Sequence, residues 1–262
     1  MSRLPCDTLS SAKAPGHWIL ARAGKRVLRP GGVELTNCML ASLNIGRVDT
    51  VIELAPGLGH TAERVLAIRP ASYLGVDREQ AVTGRLNATL GSDGARFVTG
   101  TAEDTGLPGE IATVLYGEAM LSMQPHARKK LIVDEAWRLL QRGGRYGIHE
   151  LCVGEIDESD RRRLEAELAA VIHHGVRVLT VGEWRNLLES AGFQVTQEMR
   201  APMKLLEPGR ILQDEGFFGA LRFAANLLTH PEMLGRVLRM RACFRRHRHQ
   251  LQAISIVCKK DY

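Results

Sequence analysis

Between residues 50 and 152, short apolar runs alternate with stretches whose apolar positions recur at helical spacing. Thr50–Ala55, Ser72–Val76, Arg96–Thr99, Ile111–Tyr116 and Arg145–Cys152 read as strands. Strands buried on both faces of a parallel sheet tend to be continuously apolar, and the first run fits that description apart from one acid. Between them, His60–Ile68 carries Ala62, Val65 and Leu66 at helical spacing, and Glu79–Leu90 carries Ala81, Val82, Leu86 and Leu90. Pro125–Leu140 is a third helix, opened by proline near its first turn and closed by Gly143-Gly144. Such alternation predicts an α/β fold with a doubly wound, mostly parallel sheet. Asp157–His173, Val181–Ser190, Arg210–Leu228 and Pro231–His247 then read as helices, and Phe193–Glu198 and Leu251–Cys258 as strands. The last strand follows its neighbour through helices placed elsewhere, so it can pair as an antiparallel edge of a seven-stranded sheet.

Ahead of the first strand, Trp18–Ala23 and Leu35–Leu43 read as short helices joined by GKRVLRPGG, residues 24–32. These helices are expected to pack over the carboxyl end of the first strand. Residues 1–43 would then be an N-terminal helical cap and residues 44–262 the main domain, with helical insertions at about 153–178 and 200–247. The loop 24–32 is either a cover for a ligand or a plain connection.

Composition narrows the class. The 262 residues are 45% hydrophobic and 24% charged, which suits a soluble globular chain able to bury a large core. No stretch approaches the ~18 apolar residues of a membrane span, and the first residues lack the apolar segment of a signal peptide. A cytoplasmic location is therefore expected. The five cysteines are scattered with no CxxC, which argues for free thiols and against a zinc site or a disulfide framework. Net charge is +6, and arginines recur from Arg236 to Arg248 without an acid. Such a helix could face nucleic acid. Leu234, Val237, Leu238, Cys243 and Phe244 interleave as an apolar stripe, however, which favours an ordinary solvated helix face.

Candidate chemistry starts at Pro56-Gly57-Leu58-Gly59, where the first strand gives way to a helix N-terminus. Strand, glycine turn and helix start form the geometry that binds the polar parts of nucleotides. Asp77 closes the second strand at about the ~20-residue spacing at which a carboxylate takes both ribose hydroxyls. Asp77 can also cap the helix that follows; its register with the turn favours ribose. A nicotinamide enzyme places pyrophosphate against GxGxxG. Here APGLGHT lacks the third glycine, and Glu53 at the strand end would repel pyrophosphate while tolerating an ammonium or a sulfonium.

Four landmarks in one order, ELAPGLG, Asp77 after Gly75-Val76, GTAEDTGLP and LLQRGGRYGIHEL, resemble the Rossmann-like, class I S-adenosylmethionine-dependent methyltransferases of small-molecule type. LTVGEWRNLLESAGFQV is similar to the penultimate helix and strand of that family. The resemblance implies S-adenosylmethionine as cofactor, S-adenosylhomocysteine as product and no metal. It implies Glu53 near the cofactor's amino group, Ala55, Gly57 and Gly59 beside the methionine moiety, Asp77 on the ribose and Arg78 flanking the adenine. It further implies Ala102 and Glu103 on the adenine edge, with Glu118 and Ala119 lining the methyl-transfer chamber. Two positions depart from the pattern. Ala55 stands for the first glycine, and Thr101 for the aspartate before Ala102, so carboxylate recognition of adenine falls to Glu103 or is lost.

Methyl transfer is an in-line displacement, driven largely by holding the nucleophile about 3 Å from the methyl group. A base is needed only where the nucleophile must lose a proton. His149, Glu150, Glu118 and Tyr116 stand at strand ends, and His149 and Glu118 are the catalytic candidates. His149 is a general base by its ordinary pKa, or a hydrogen-bonded structural histidine. Adjacent in one strand, His149 and Glu150 should point to opposite faces. The fourth strand ends YGEAM, without the Asn/Asp-Pro-Pro-Tyr pattern that resembling enzymes use on base amines or glutamine. Phe217, Phe218, Leu221, Phe223, Leu227, Leu228, Met233 and Met240 either line an acceptor pocket or pack helices together. The resulting expectation is methyl transfer to a small, partly apolar acceptor. The alternatives are an RNA methyltransferase using residues 236–248, a non-catalytic S-adenosylmethionine-binding protein and a nicotinamide oxidoreductase. A homodimer is compatible with the sequence.

Overall fold

The protein is described over residues 13–261 by a computed structural model. In chain order the elements are α1 (Gly16–Arg22), α2 (Gly32–Leu43), β1 (Thr50–Leu54), α3 (His60–Ile68), β2 (Ser72–Asp77), α4 (Gln80–Leu90) and β3 (Ala95–Thr99). β4 (Ala112–Glu118), a 3-10 turn at Leu121–Met123, α5 (His126–Leu139), β5 (Leu140–Val153), α6 (Glu158–Ile172) and β6 (Leu179–Thr180) follow. The chain ends with α7 (Val181–Ser190), β7 (Phe193–Pro202), α8 (Pro208–Leu228), α9 (Pro231–Arg246) and β8 (Leu251–Lys260).

The strands form one sheet in the order β3-β2-β1-β4-β5-β8-β7, with β6 paired to the end of β5. β1 to β5 pair in parallel, and β8 runs antiparallel to both β5 and β7. The doubly wound, mostly parallel sheet with antiparallel pairing at one edge is therefore as the hydrophobic pattern predicts, except that the antiparallel strand β8 lies one strand in and β7 takes the edge itself. The eighth strand is the two-residue β6, too short to leave a periodic signal. β5 begins at Leu140 rather than Arg145, and Gly143 (φ 74°) lies beside a register shift in its pairing with β4.

Helices cover both faces of this sheet. Ile132, Val133 and Ala136 of α5 join Trp184, Leu187 and Leu188 of α7 against Ile52, Leu54 and Ile148. Met39 and Leu43 of α2, Ala62 and Val65 of α3, and Val82 and Leu86 of α4 pack with Val51, Val114 and Tyr116. α7 starts with a capping box: Glu183 N–H donates to the Thr180 hydroxyl, and the Glu183 carboxylate accepts from Thr180 N–H.

The direction of β8 decides where the remaining helices go. β7 runs with β5 and β8 against both, so the chain between them leaves and re-enters at the carboxyl end of the parallel strands. α8 and α9 consequently lie at that end. They share a third core with Ile19 and Leu20 of α1 and Leu164 and Leu168 of α6, through Phe223, Leu227, Met233, Val237 and Met240. The apolar residues of this region divide sharply. Phe217 (67% exposed) and Phe218 (83%), with Leu221 and Leu228, face outward, whereas Phe223, Leu227 and Met233 pack helices together. No helix among the described residues is long and apolar enough to cross a membrane.

Candidate functional site

β1, β2 and β4 are adjacent in the sheet, and the turns that follow them ring one cavity of about 540 Å³. Its roof comes from His17 and Trp18 of α1, from Leu28, Arg29 and Pro30 of the loop 24–32, and from Met240 and Phe244 of α9. The loop after β1 holds a left-handed backbone at Ala55 (φ 55°), Gly57 (φ 55°) and Gly59 (φ 81°). Ala55 N–H donates to Val76 O at 2.8 Å, tying the turn to β2. The two glycines serve different ends. A Cβ on Gly57 would meet nothing nearer than Ala55 O at 3.9 Å, whereas one on Gly59 would stand 2.5 Å from Leu86 Cδ2. Gly57 thus keeps space over the turn, and Gly59, which does not line the cavity, lets α3 pack against α4.

Asp77 is 8% exposed at the end of β2 and lines the cavity. Its Oδ1 accepts from Glu79 N at 3.0 Å and its Oδ2 from Gly57 N at 3.4 Å. One carboxylate thus both supports the start of α4 and reaches the glycine turn. Burial raises its pKa, and those two amides hold the rise back. Glu53 is buried too, and its Oε2 accepts from the hydroxyls of Tyr73 and Tyr116. Burial drives its pKa up to about 7 against the pull of the tyrosines, with the Glu118 charge assisting the rise.

Glu118 joins four separate parts of the chain. Its Oε1 accepts from Thr36 Oγ1 at 2.6 Å and lies 2.8 Å from His149 Nδ1; its Oε2 accepts from Thr61 and stands 3.3 Å from Arg29 Nη1. Burial alone would raise its pKa, but Arg29, His149 and Thr36 together bring it down to about 2. His149 is fully buried, with Nδ1 on Glu118 and Nε2 2.5 Å from Pro30 O. With an acceptor at each nitrogen the imidazole is clamped, and it does not line the cavity. A general-base role for His149 therefore finds no free nitrogen in this geometry, which instead makes it a support for Glu118. Glu150 points the other way. It accepts from Met120 N (2.9 Å), Leu121 N (2.8 Å), Ser122 N (2.9 Å) and Ser122 Oγ (2.6 Å), fixing the 3-10 turn.

Arg78, Thr101, Ala102 and Glu103 line the far end of the cavity. Arg78 Nε lies 3.4 Å from Glu79 Oε1, and Glu103 Oε1 lies 3.4 Å from Arg128 Nε. Thr101 Oγ1 donates to Asp104 O at 3.1 Å, so it shapes its own loop. Several site residues carry no sequence signal. Thr36 and Thr61 are single hydroxyls on helices, and Arg29 is one of several basic residues in a loop singled out only as a whole. His60 and His17 also line the cavity, each with its pKa lowered to about 4. Burial is the main cause for both, followed by Arg29 at His60 and by His174 at His17. Among the described residues, Glu167, Cys243 and His247 could also come together on a metal ion, but none of them lines the cavity, and Arg246 already pairs with that carboxylate at 2.9 Å. The arginines of α9 are largely engaged: Arg236 Nη1 donates to Ala14 O, and Arg241 and Arg245 pair with Glu207.

No family model matches the sequence. An uncharacterized protein of Haemophilus influenzae is 28% identical over 250 residues, covering 94% of this chain and 98% of that relative. Among solved structures, a phosphoethanolamine N-methyltransferase of Haemonchus contortus, in complex with phosphomonomethylethanolamine and S-adenosylhomocysteine, superposes with a TM-score of 0.71 at 12% identity. That match covers 98% of this chain and 59% of the other. The [4+2]-cyclase SpnF gives 0.66 at 15% identity over 92% of each chain. A geranyl diphosphate C-methyltransferase of Streptomyces coelicolor, bound to Mg2+, geranyl diphosphate and S-adenosylhomocysteine, gives 0.60 at 15%, covering 86% of this chain and 77% of that one. At these identities the likeness is one of architecture. The chain has the Rossmann-like fold of the class I S-adenosylmethionine-dependent methyltransferases.

Proposed function

We propose that the protein transfers a methyl group from S-adenosylmethionine to a small, partly apolar organic acceptor. The observation that carries this reading is the Asp77 carboxylate 3.4 Å from Gly57 N, beside the open space that Gly57 keeps over the turn. That donor set fits a nucleoside cofactor: a buried carboxylate for ribose hydroxyls, with backbone free to approach what lies beyond. Bound there, S-adenosylmethionine supplies a methyl group activated by its sulfonium. Asp77 takes the ribose, Gly57 admits the chain beyond it, and Arg78, Ala102 and Glu103 flank the base. Leu28, Met123, Met203, Leu205 and Met240 supply the apolar lining that favours a partly apolar acceptor. With His149 clamped, rate acceleration rests on positioning and on exclusion of water rather than on that imidazole as a base.

Calorimetric titration with S-adenosylmethionine and with S-adenosylhomocysteine tests the first step, and transfer of labelled methyl into a small-molecule extract tests the second. A folded protein that binds neither would end this reading. A non-methylating use of the bound cofactor is the second reading, favoured by the clamped His149 and by the likeness to a [4+2]-cyclase. It expects saturable binding with no label transferred. An RNA acceptor stands behind both, since the arginines of α9 that would carry it are largely engaged within the chain.

A further inference from the structure

A second cleft, of about 690 Å³, lies between the loop that follows β7, the first turns of α8 and the end of α9. Arg241 and Arg245, one turn apart on α9, and Arg248 just beyond its end line this cleft together with Lys204 of the loop and Arg210 of α8. Glu207 is the one carboxylate among the lining residues, and it does not balance them. Its Oε2 takes Arg241 Nη2 at 3.2 Å and its Oε1 stands 3.5 Å from Arg245 Nε, which leaves further donors on both guanidiniums. Arg241 Nε is buried with no hydrogen-bond partner. Arg210 is held by Glu34 and Asp214, but Lys204 and Arg248 meet no acid among the described residues. Like charges gathered in a recess repel one another and focus attraction on an anion. A buried guanidinium nitrogen without an acceptor usually marks a missing partner.

We propose that this cleft binds the phosphate or diphosphate group of a small organic phosphate. A carboxylate offers two oxygens to one guanidinium fork, whereas a phosphate or diphosphate offers oxygens to several forks and the charge to match them. A nucleic-acid strand fits less well. Besides the imidazole of His249 the only ring lining the cleft is Phe244, 6% exposed, so bases find no open aromatic face there. Met203, Leu205 and Phe244 line both this cleft and the cavity that holds Asp77, so the two spaces share an apolar wall. The phosphate belongs either to a methyl acceptor whose apolar body lies against that wall, in which case the assignment rests on the function proposed above, or to a separate organic phosphate. The recognition is the same.

Pyrophosphate, titrated calorimetrically into the full chain, is the probe, and saturable binding is expected. Arg241→Gln should weaken it by about ten- to a hundredfold, as for lost charge-assisted hydrogen bonds. Lys204→Gln and Arg245→Gln, at exposed side chains, should each weaken it by about three- to tenfold and serve if Arg241→Gln does not fold. Arg162→Gln on α6 removes the same charge from a residue that lines neither space and should stay within about twofold. No saturable binding by the wild type, binding that none of the three cleft substitutions weakens, or equal weakening in Arg162→Gln overturns the inference. So does a single-stranded RNA oligonucleotide that binds more than about a hundredfold tighter than pyrophosphate and responds to the same substitutions, since the cleft would then be part of a nucleic-acid track. Phosphatase treatment of the small-molecule extract separates the two sources. Loss of labelled methyl transfer puts the phosphate on the acceptor; transfer that survives, with pyrophosphate binding intact, assigns it to a separate organic phosphate. A wild type that binds pyrophosphate but no S-adenosylhomocysteine removes the methyl-transfer reading and leaves this site standing.

Discussion

Glu53 allows a measurement that needs no ligand. Its carboxyl is 3% exposed, and burial lifts its pKa from 4.5 to about 7 despite the hydroxyls of Tyr73 and Tyr116. The folded protein therefore holds this proton more tightly than the unfolded chain does. The resulting stabilisation is fully present below about pH 4.5 and is lost as pH rises through about 7. Between pH 5 and pH 8 that shift corresponds to a loss of about 2–3 kcal/mol. Glu53→Gln keeps the size and an acceptor oxygen for the tyrosines but cannot ionise. Urea unfolding of wild type and variant at pH 5, 6, 7 and 8 gives the stability difference at each pH. Other groups titrate in both proteins and cancel, including His17 and His60, whose lowered pKa values act in the opposite direction. The variant should gain on the wild type by about 2–3 kcal/mol from pH 5 to pH 8, most of it before pH 7. A difference that stays constant over this range would refute the reasoning. Glu53 would then ionise in the folded state as readily as in the unfolded chain.

Asp77→Ala should weaken S-adenosylhomocysteine binding by about ten- to a hundredfold in a calorimetric titration, from the loss of charge-assisted bonds to the ribose; unchanged affinity would put the ribose elsewhere. Gly59→Ala combines a positive φ with a 2.5 Å approach to Leu86 and should lower unfolding stability by about 2–4 kcal/mol in urea. Gly57→Ala carries the backbone strain alone, about 1–2 kcal/mol, yet should reduce cofactor affinity more than Gly59→Ala does. Thr180→Ala opens the capping box of α7 and should lower stability by about 1 kcal/mol, with no change in cofactor affinity.

The legible parts of this molecule are those with a local cause. Thr50–Leu54 is buried on nearly every residue, so its apolar run reports its place in the middle of the sheet. His60–Ile68 and Val181–Ser190 match their sequence boundaries because the glycine turn and the capping box lie next to them in the chain. The opposite orientations of His149 and Glu150 follow from strand alternation alone. What stayed hidden depends on partners far away. A glycine that leaves open space over the turn and a glycine that helix packing requires look the same in ELAPGLG, and only Leu86, on another helix, separates Gly57 from Gly59. His149 reads as either a base or a hydrogen-bonded structural histidine until Pro30 O and Glu118 are found at its two nitrogens.

The same argument explains why one part of the cavity is harder to read than the other. The loop 24–32 that brings Arg29 and Pro30 to the site is held from the other end of the chain. Lys25, fully buried, places Nζ 3.2 Å from Asp214 Oδ2 and 3.6 Å from Glu215 Oε1. Glu215 Oε1 accepts the N–H groups of Arg26 at 2.8 Å and Val27 at 2.9 Å, and Asp214 Oδ1 accepts from Val33 N–H at 3.1 Å. Gly216 then takes φ 70° and ψ 173°, interrupting α8 immediately beyond the two acids. A buried cation between two acids adds little net stability over an apolar filling, but removing one member leaves the others unpaired, which enforces a single arrangement. The position of Arg29, one of four partners of Glu118, thus depends on a strap between segments 189 residues apart. The part of the cavity formed by the turns after β1 and β2 lies next to its own strands, and its pattern survives in the sequence. The part roofed by the loop 24–32 is held by a long-range strap, and the residues that shape it carry no local pattern at all.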